Sequence, residues 1–183
     1  MKKSHSYLVW IDLEMTGLTA LEDSILEIAT VITDAELTIV AHKSSIVIHQ
    51  PEEVLAAMTE WAKEQHAQSG LIDLVRSSTV SLKQAEIETQ RFIEEYCYPQ
   101  TAVLCGNSVW QDASFLRVHM PSVISFLHYR IIDVTSFKEA LSRWYPSSFY
   151  KEFMKKDTHR ALEDILESIE ELRYYRDNYF VKF

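Results

Sequence analysis

Short apolar runs rich in Ile, Val and Thr near the N-terminus give way to a helical spacing of apolar positions after about residue 50. Tyr7 to Leu13 predicts a strand that ends near Gly17. Ile25 to Thr33 and Leu37 to His49 are rich in Ile, Val and Thr and flank a turn at Asp34-Ala35-Glu36. They predict two further strands, and the three together an antiparallel meander. From Pro51 to Pro99 the pattern is helical, most clearly over Leu82 to Tyr96, where Ala85, Phe92, Ile93 and Tyr96 recur at helix-compatible intervals. Ala102 to Cys105 predicts a short buried strand followed by a turn at Asn107, then a helix from Trp110 to His119 stopped by Pro121, and another short strand at Arg130 to Asp133. In the last helix Leu162, Ile165, Leu166, Ile169 and Leu172 form one apolar stripe. Strands first, then helices alternating with short strands, predict an α/β domain with a mixed sheet. No repeat, low-complexity tract or Pro/Gly/Ser-rich linker divides the chain, so one domain is expected over residues 1–183.

Composition narrows the function. Apolar residues are 47% and charged residues 25% of the 183, which is ordinary for a globular domain. No apolar run is long enough to span a bilayer, and the Met1-Lys2-Lys3 start lacks a clean apolar core and cleavage site, so a cytoplasmic protein without a membrane partner is expected. The three glycines, Gly17, Gly70 and Gly106, form neither a P-loop nor a dinucleotide fingerprint. Cys97 and Cys105 are not in a CxxC pair and are expected to be reduced core residues. The net charge of −9 argues against gripping long nucleic acid by charge neutralisation. A short substrate offers few phosphates, and bound cations supply positive charge locally.

The candidate chemistry is acidic. Alternation along Leu8 to Glu14 puts Val9, Ile11 and Leu13 on one face and Trp10, Asp12 and Glu14 on the other. Two neighbouring carboxylates repel, and a divalent cation offsets that repulsion; oxygen-only ligands favour magnesium or manganese over zinc. Asp112 opens a predicted helix, Asp164 lies beside the stripe of the last one, and His159 precedes it near Asp157-Thr158, a plausible cap region. Taken singly, these are a dipole-favoured acid, a solvated acid and a capping histidine. Five residues turn a helix by about 140°, so His159 and Asp164 converge only if His159 sits in the loop or first turn. Together, four carboxylates and a histidine have the inventory for phosphodiester hydrolysis with two divalent ions and a general base.

Three motifs resemble the oligoribonuclease family. The first is Asp12-Leu13-Glu14-Met15-Thr16-Gly17-Leu18 with Asp23-Ser24-Ile25-Leu26-Glu27-Ile28-Ala29. The second is Gly106-Asn107-Ser108 with Gln111-Asp112 and Phe115-Leu116, and the third His159-Arg160-Ala161-Leu162 with Asp164-Ile165 and Ser168-Ile169. The resemblance covers nearly the whole chain. It implies a ribonuclease-H-like exonuclease fold and removal of 5′-mononucleotides from the 3′ end of short RNA, with dinucleotides preferred. It implies two divalent metal ions, Mg2+ or Mn2+, on Asp12, Glu14, Asp112 and Asp164, and His159 as the base. Leu18 and Trp61 match residues that pack on the bases, and His66, Ser108 and Gln111 fall where the family approaches substrate. Tyr129-Arg130 matches a segment that reaches the partner's site in a homodimer. The chain departs from the family at Trp110, where a glycine is expected, and at Ala113-Ser114, where a more basic pair is expected. Two other readings stand: a related exonuclease acting on longer RNA or DNA 3′ ends, and a non-catalytic dimeric adaptor.

Overall fold

The computed structural model describes residues 3–154 and 160–181. Five strands, β1 (Leu8–Met15), β2 (Ile25–Thr33), β3 (Ile39–Val47), β4 (Val103–Gly106) and β5 (Ile131–Asp133), form one sheet in the order β3-β2-β1-β4-β5. The first three pair antiparallel as the expected meander; β4 and β5 add in parallel on the other side of β1, making the sheet mixed.

Eight helices interleave with the later strands among the described residues: α1 (Glu52–Ala56), α2 (Glu60–Gln68), α3 (Leu71–Ser77) and α4 (Leu82–Tyr96) before β4, α5 (Trp110–His119) and α6 (Pro121–Phe126) before β5, and α7 (Val134–Trp144) and α8 (Ala161–Tyr179) after it. Ser81 closes the N-terminus of α4 with a capping box, its hydroxyl accepting from the Gln84 amide. Pro121 ends α5 as expected but also starts α6, because a ring without an N–H fits the first helical position. β1 runs from Leu8 to Met15, a residue later at its start than the alternation suggested and two later at its end.

The two faces of the sheet bury different residues. Val9, Ile11 and Leu13 pack with Ala85 and Ile93 of α4, Phe115 and Leu116 of α5 and Val123 of α6. Trp10, Ala29 and Val31 pack with Leu141 of α7 and with Ile165, Ile169 and Tyr175 of α8. β2 is buried at all nine residues, which explains its predominantly apolar sequence. A third cluster, of Leu26, Leu55, Met58, Leu71 and Val75, seats α1 and α3. Both cysteines are free and buried.

The β1–β4 pairing ends at Trp10 and Cys105, so the rest of β1 runs on past the last parallel pair. Crevices beyond the carboxyl ends of parallel strands are where open α/β sheets bind ligands. Asp12, Glu14 and the turn after β4 lie there.

Candidate active site

Asp12 and Glu14 project from one face of β1, the face that α8 covers. Packing of the α8 stripe on that face brings Asp164, in its first turn, to the same place. Carboxylate oxygens of Asp12, Glu14 and Asp164 all lie within 4.8 Å of one another. Asp112 comes from the other side. Its Oδ1 accepts the Leu13 amide at 3.0 Å, taking up a ladder donor beyond the last β4 pair. Asp112 is 6% exposed.

The charges act on one another through a poorly solvated space. Burial pushes Asp12 well above the usual carboxylate range, and the charges of Asp112, Glu14, Asp164 and Glu27 push it further. Burial, then Asp164, Glu27 and Asp112, raise Glu14 to about 8, against a smaller opposing effect of Arg160. Burial raises Asp112 to about 8 despite the backbone donors on it. Asp12, Glu14 and Asp112, with the Asp164 charge beside them, are poised to take positive charge, as protons or as metal. All the donors are hard oxygens, a set that suits magnesium or manganese.

These acids form the floor of a cavity of about 610 Å³. Its rim carries two apolar side chains that stay in solvent, Leu18 at 67% and Trp61 at 61% exposure. Thr59 caps α2 by accepting the Ala62 amide, and its own amide donates to Thr16 O at 3.0 Å, tying the Trp61 helix to the end of β1. His66 of α2 is buried; its Nε2 donates to Met15 O at 2.8 Å, and its Nδ1 lies 3.7 Å from Glu14 Oε2. Gln111 Nε2 donates to Leu18 O, and His119 Nε2 to Ala20 O at 2.8 Å, so α5 holds the loop that carries Leu18. Among the described residues lining the cavity there is no Lys or Arg.

The exonuclease family model matches residues 9–172. An oligoribonuclease of Pseudomonas paraeruginosa is 51% identical over 172 residues, 94% of this chain and 95% of the relative. The chain belongs to the oligoribonuclease family of exonucleases. An Azoarcus oligoribonuclease is 49% identical over 98% of each chain, and the human mitochondrial oligoribonuclease 47% identical over 96% of this chain and 74% of its own. Among solved structures, exonuclease I of Methylocaldum szegediense aligns with TM-score 0.70 at 15% identity over 94% of this chain. The zinc-bound E. coli exonuclease I complex with single-stranded DNA aligns with TM-score 0.73 at 14% identity over 96%. Both share the fold, and the chain spans 41% of their length. Family, ribonuclease-H-like fold and acidic cluster together make this a metal-dependent 3′-to-5′ exonuclease.

Of the residues singled out in the sequence, Asp12, Glu14, Asp112, Asp164, Leu18, Trp61, His66, Ser108 and Gln111 line the one cavity. Ser108, at φ 48°, turns its amide toward Asp133 Oδ1 and Thr135 Oγ1, both 2.9 Å away. Tyr129 and Arg130 are elsewhere: Tyr129 lines a separate surface hollow with Arg117 and His128. His159, with Asp157 and Thr158, lies outside the described residues; the cap position of α8 is Arg160, not the Asp157-Thr158 pair expected. Trp110 is 58% exposed at the start of α5.

Sequence reasoning placed Asp23 and Glu27 in the first motif but gave neither a role. Glu27 is fully buried beside the acids, and a lone charge in Ile25 to Thr33 was the signal for it. Asp23 accepts the Thr16 hydroxyl and the Thr19 amide, closing the Leu18 loop from within.

Proposed function

We propose that this exonuclease releases 5′-mononucleotides from the 3′ end of short RNA, with dinucleotides the preferred substrate. The carrying observation is the convergence of Asp12, Glu14 and Asp164 within 4.8 Å on the floor of a cavity whose rim holds exposed Leu18 and Trp61. Asp12, Glu14, Asp112 and Asp164 would hold two divalent ions, Mg2+ or Mn2+. Bound there, such ions would supply positive charge to neutralise phosphate and stabilise the attacking and leaving oxygens. Without such charge, the acids would repel a phosphodiester.

The chain's own residues do the rest. Leu18 and Trp61 hold bases by apolar contact and stacking, worth about 1–3 kcal/mol per base. His66 keeps Glu14 and the end of β1 in place through its contacts to Glu14 and Met15. Gln111 fixes the Leu18 backbone, and Ser108 shapes the turn beside Asp112. His159, one residue before the described start of the third motif, takes the proton from the attacking water.

Short length follows from charge and closure. Among the described residues, the cavity wall offers no Lys or Arg with which to track a long phosphate backbone. Tyr129 is 77% exposed, stacks on His128 at 4.5 Å between ring centroids, and has the Arg130 guanidinium 5.1 Å from its ring centroid. This exposed aromatic and basic group, outside the lining of its own cavity, fits a homodimer in which it caps the partner's site and excludes longer chains. The enzyme acts in the cytoplasm.

The test is labelled RNA dinucleotide and heptamer, incubated with Mg2+ or Mn2+ and then with chelator. The dinucleotide should be cleaved faster and chelator should stop both reactions. Equal rates on both lengths would favour the longer-substrate exonuclease, and no cleavage of either the adaptor.

A further inference from the structure

Glu27 is the one charged residue in a strand buried at every position, and its side chain is wholly inaccessible. In the β1–β2 register it stands directly opposite Glu14. Like charges opposed across an antiparallel pair are destabilising, and a buried carboxylate survives only with partners. Glu27 has them. Arg160 Nη2 donates to Oε1 at 2.8 Å and Nε to Oε2 at 3.3 Å, and the Ala161 amide donates to Oε2 at 3.3 Å.

Those partners are the first residues of α8. Arg160 is its N-cap and makes no side-chain cap of its own, so Glu27 supplies the missing acceptor from 134 residues away. The Asp164 amide donates to Arg160 O at 3.0 Å, which puts Asp164 one rigid turn from the anchored point. A shift of the anchor carries the Asp164 carboxylate with it. Accurate spacing of carboxylates about a cation depends on such supporting contacts.

We propose that Glu27 and Arg160 form a positioning pair that fixes the start of α8 against β1–β2, and thereby the distance of Asp164 from Asp12 and Glu14. The inference rests on the metal reading of those acids. Neither Glu27 nor Arg160 need touch substrate for it to hold.

The experiment uses the whole chain, with free Mn2+ counted by electron paramagnetic resonance during titration, and kcat and KM measured on an RNA dinucleotide. Arg160→Lys keeps the positive charge at a side chain 32% exposed but loses the two-nitrogen fork. It should weaken Mn2+ binding at least fivefold and lower kcat more than it raises KM. Glu27→Gln should do the same or worse, and the double variant no worse than Glu27→Gln, because both break one link. If Glu27→Gln does not fold, Arg160→Lys alone decides. Variants with a lower Tm but with Mn2+ affinity and kcat within twofold of the parent would overturn the positioning role, as would an Arg160→Lys chain indistinguishable from the parent. A parent chain that binds no Mn2+ would overturn the metal reading, and this inference with it.

Discussion

Replacing Glu14 by Gln keeps the shape of the side chain and removes its charge. Glu14 is raised from 4.5 to about 8, by burial first and then by Asp164, Glu27 and Asp112. At about 1.36 kcal/mol for each pKa unit, ionising it in the folded, metal-free chain costs up to roughly 5 kcal/mol. The folded value is the raised one, so the stability contributed by the protonated form is complete below about pH 4.5 and lost as pH rises to about 8. Typical domains have only about 5–15 kcal/mol in all. Asp12 and Asp112 are raised too, so part of the loss is shared among them and not additive. Urea unfolding with chelator present, at pH 5 and pH 9, measures this directly. At pH 5 parent and Glu14→Gln should agree within about 1 kcal/mol; at pH 9 the Gln variant should be more stable by about 2–5 kcal/mol. Added Mn2+ should reverse the order, because ligand binding stabilises the parent in proportion to its affinity. A Gln variant less stable than the parent at pH 9 without metal, or a difference that ignores pH, would refute the account of a repelling, poorly solvated cluster.

His159→Ala should lower the single-turnover rate by about 10²–10⁴ while substrate binding largely survives; collapsed binding with an unchanged rate would make His159 a binding residue. Gly17→Ala should raise KM for dinucleotide and cost about 1–3 kcal/mol of stability by urea unfolding, because a Cβ there would sit 2.5 Å from Asp23 Oδ2 and open the loop that carries Leu18. Tyr129→Ala should impair turnover although Tyr129 lies outside its own cavity, and mixing it with Asp12→Ala chains should restore part of the activity; no restoration would argue against a site completed by a second copy.

Much of the fold was legible because its periodicities are strong. The β1–β2–β3 meander, α4 from Leu82 to Tyr96 and α5 from Trp110 to His119 emerge from local spacing alone. Which residues share a face of β1 was legible for the same reason, since alternation is a property of the extended backbone. Alternation could not say what covers each face, nor that β1 outruns β4 and leaves the Leu13 amide for Asp112. The resemblance named Asp112 and Asp164, but only packing of α5 and α8 on opposite faces of one sheet brings them to Asp12 and Glu14. Glu27 stands in the sequence only as one residue of the first motif. Its role as an acceptor for the start of α8 depends on a contact across 134 residues, which no local pattern encodes. The sequence by itself therefore determined the elements and the kind of chemistry, because both reside in neighbouring residues. The tertiary structure decided the distances between carboxylates, the raised proton affinities and the anchoring of α8, because those arise only when distant segments exclude water from a common space.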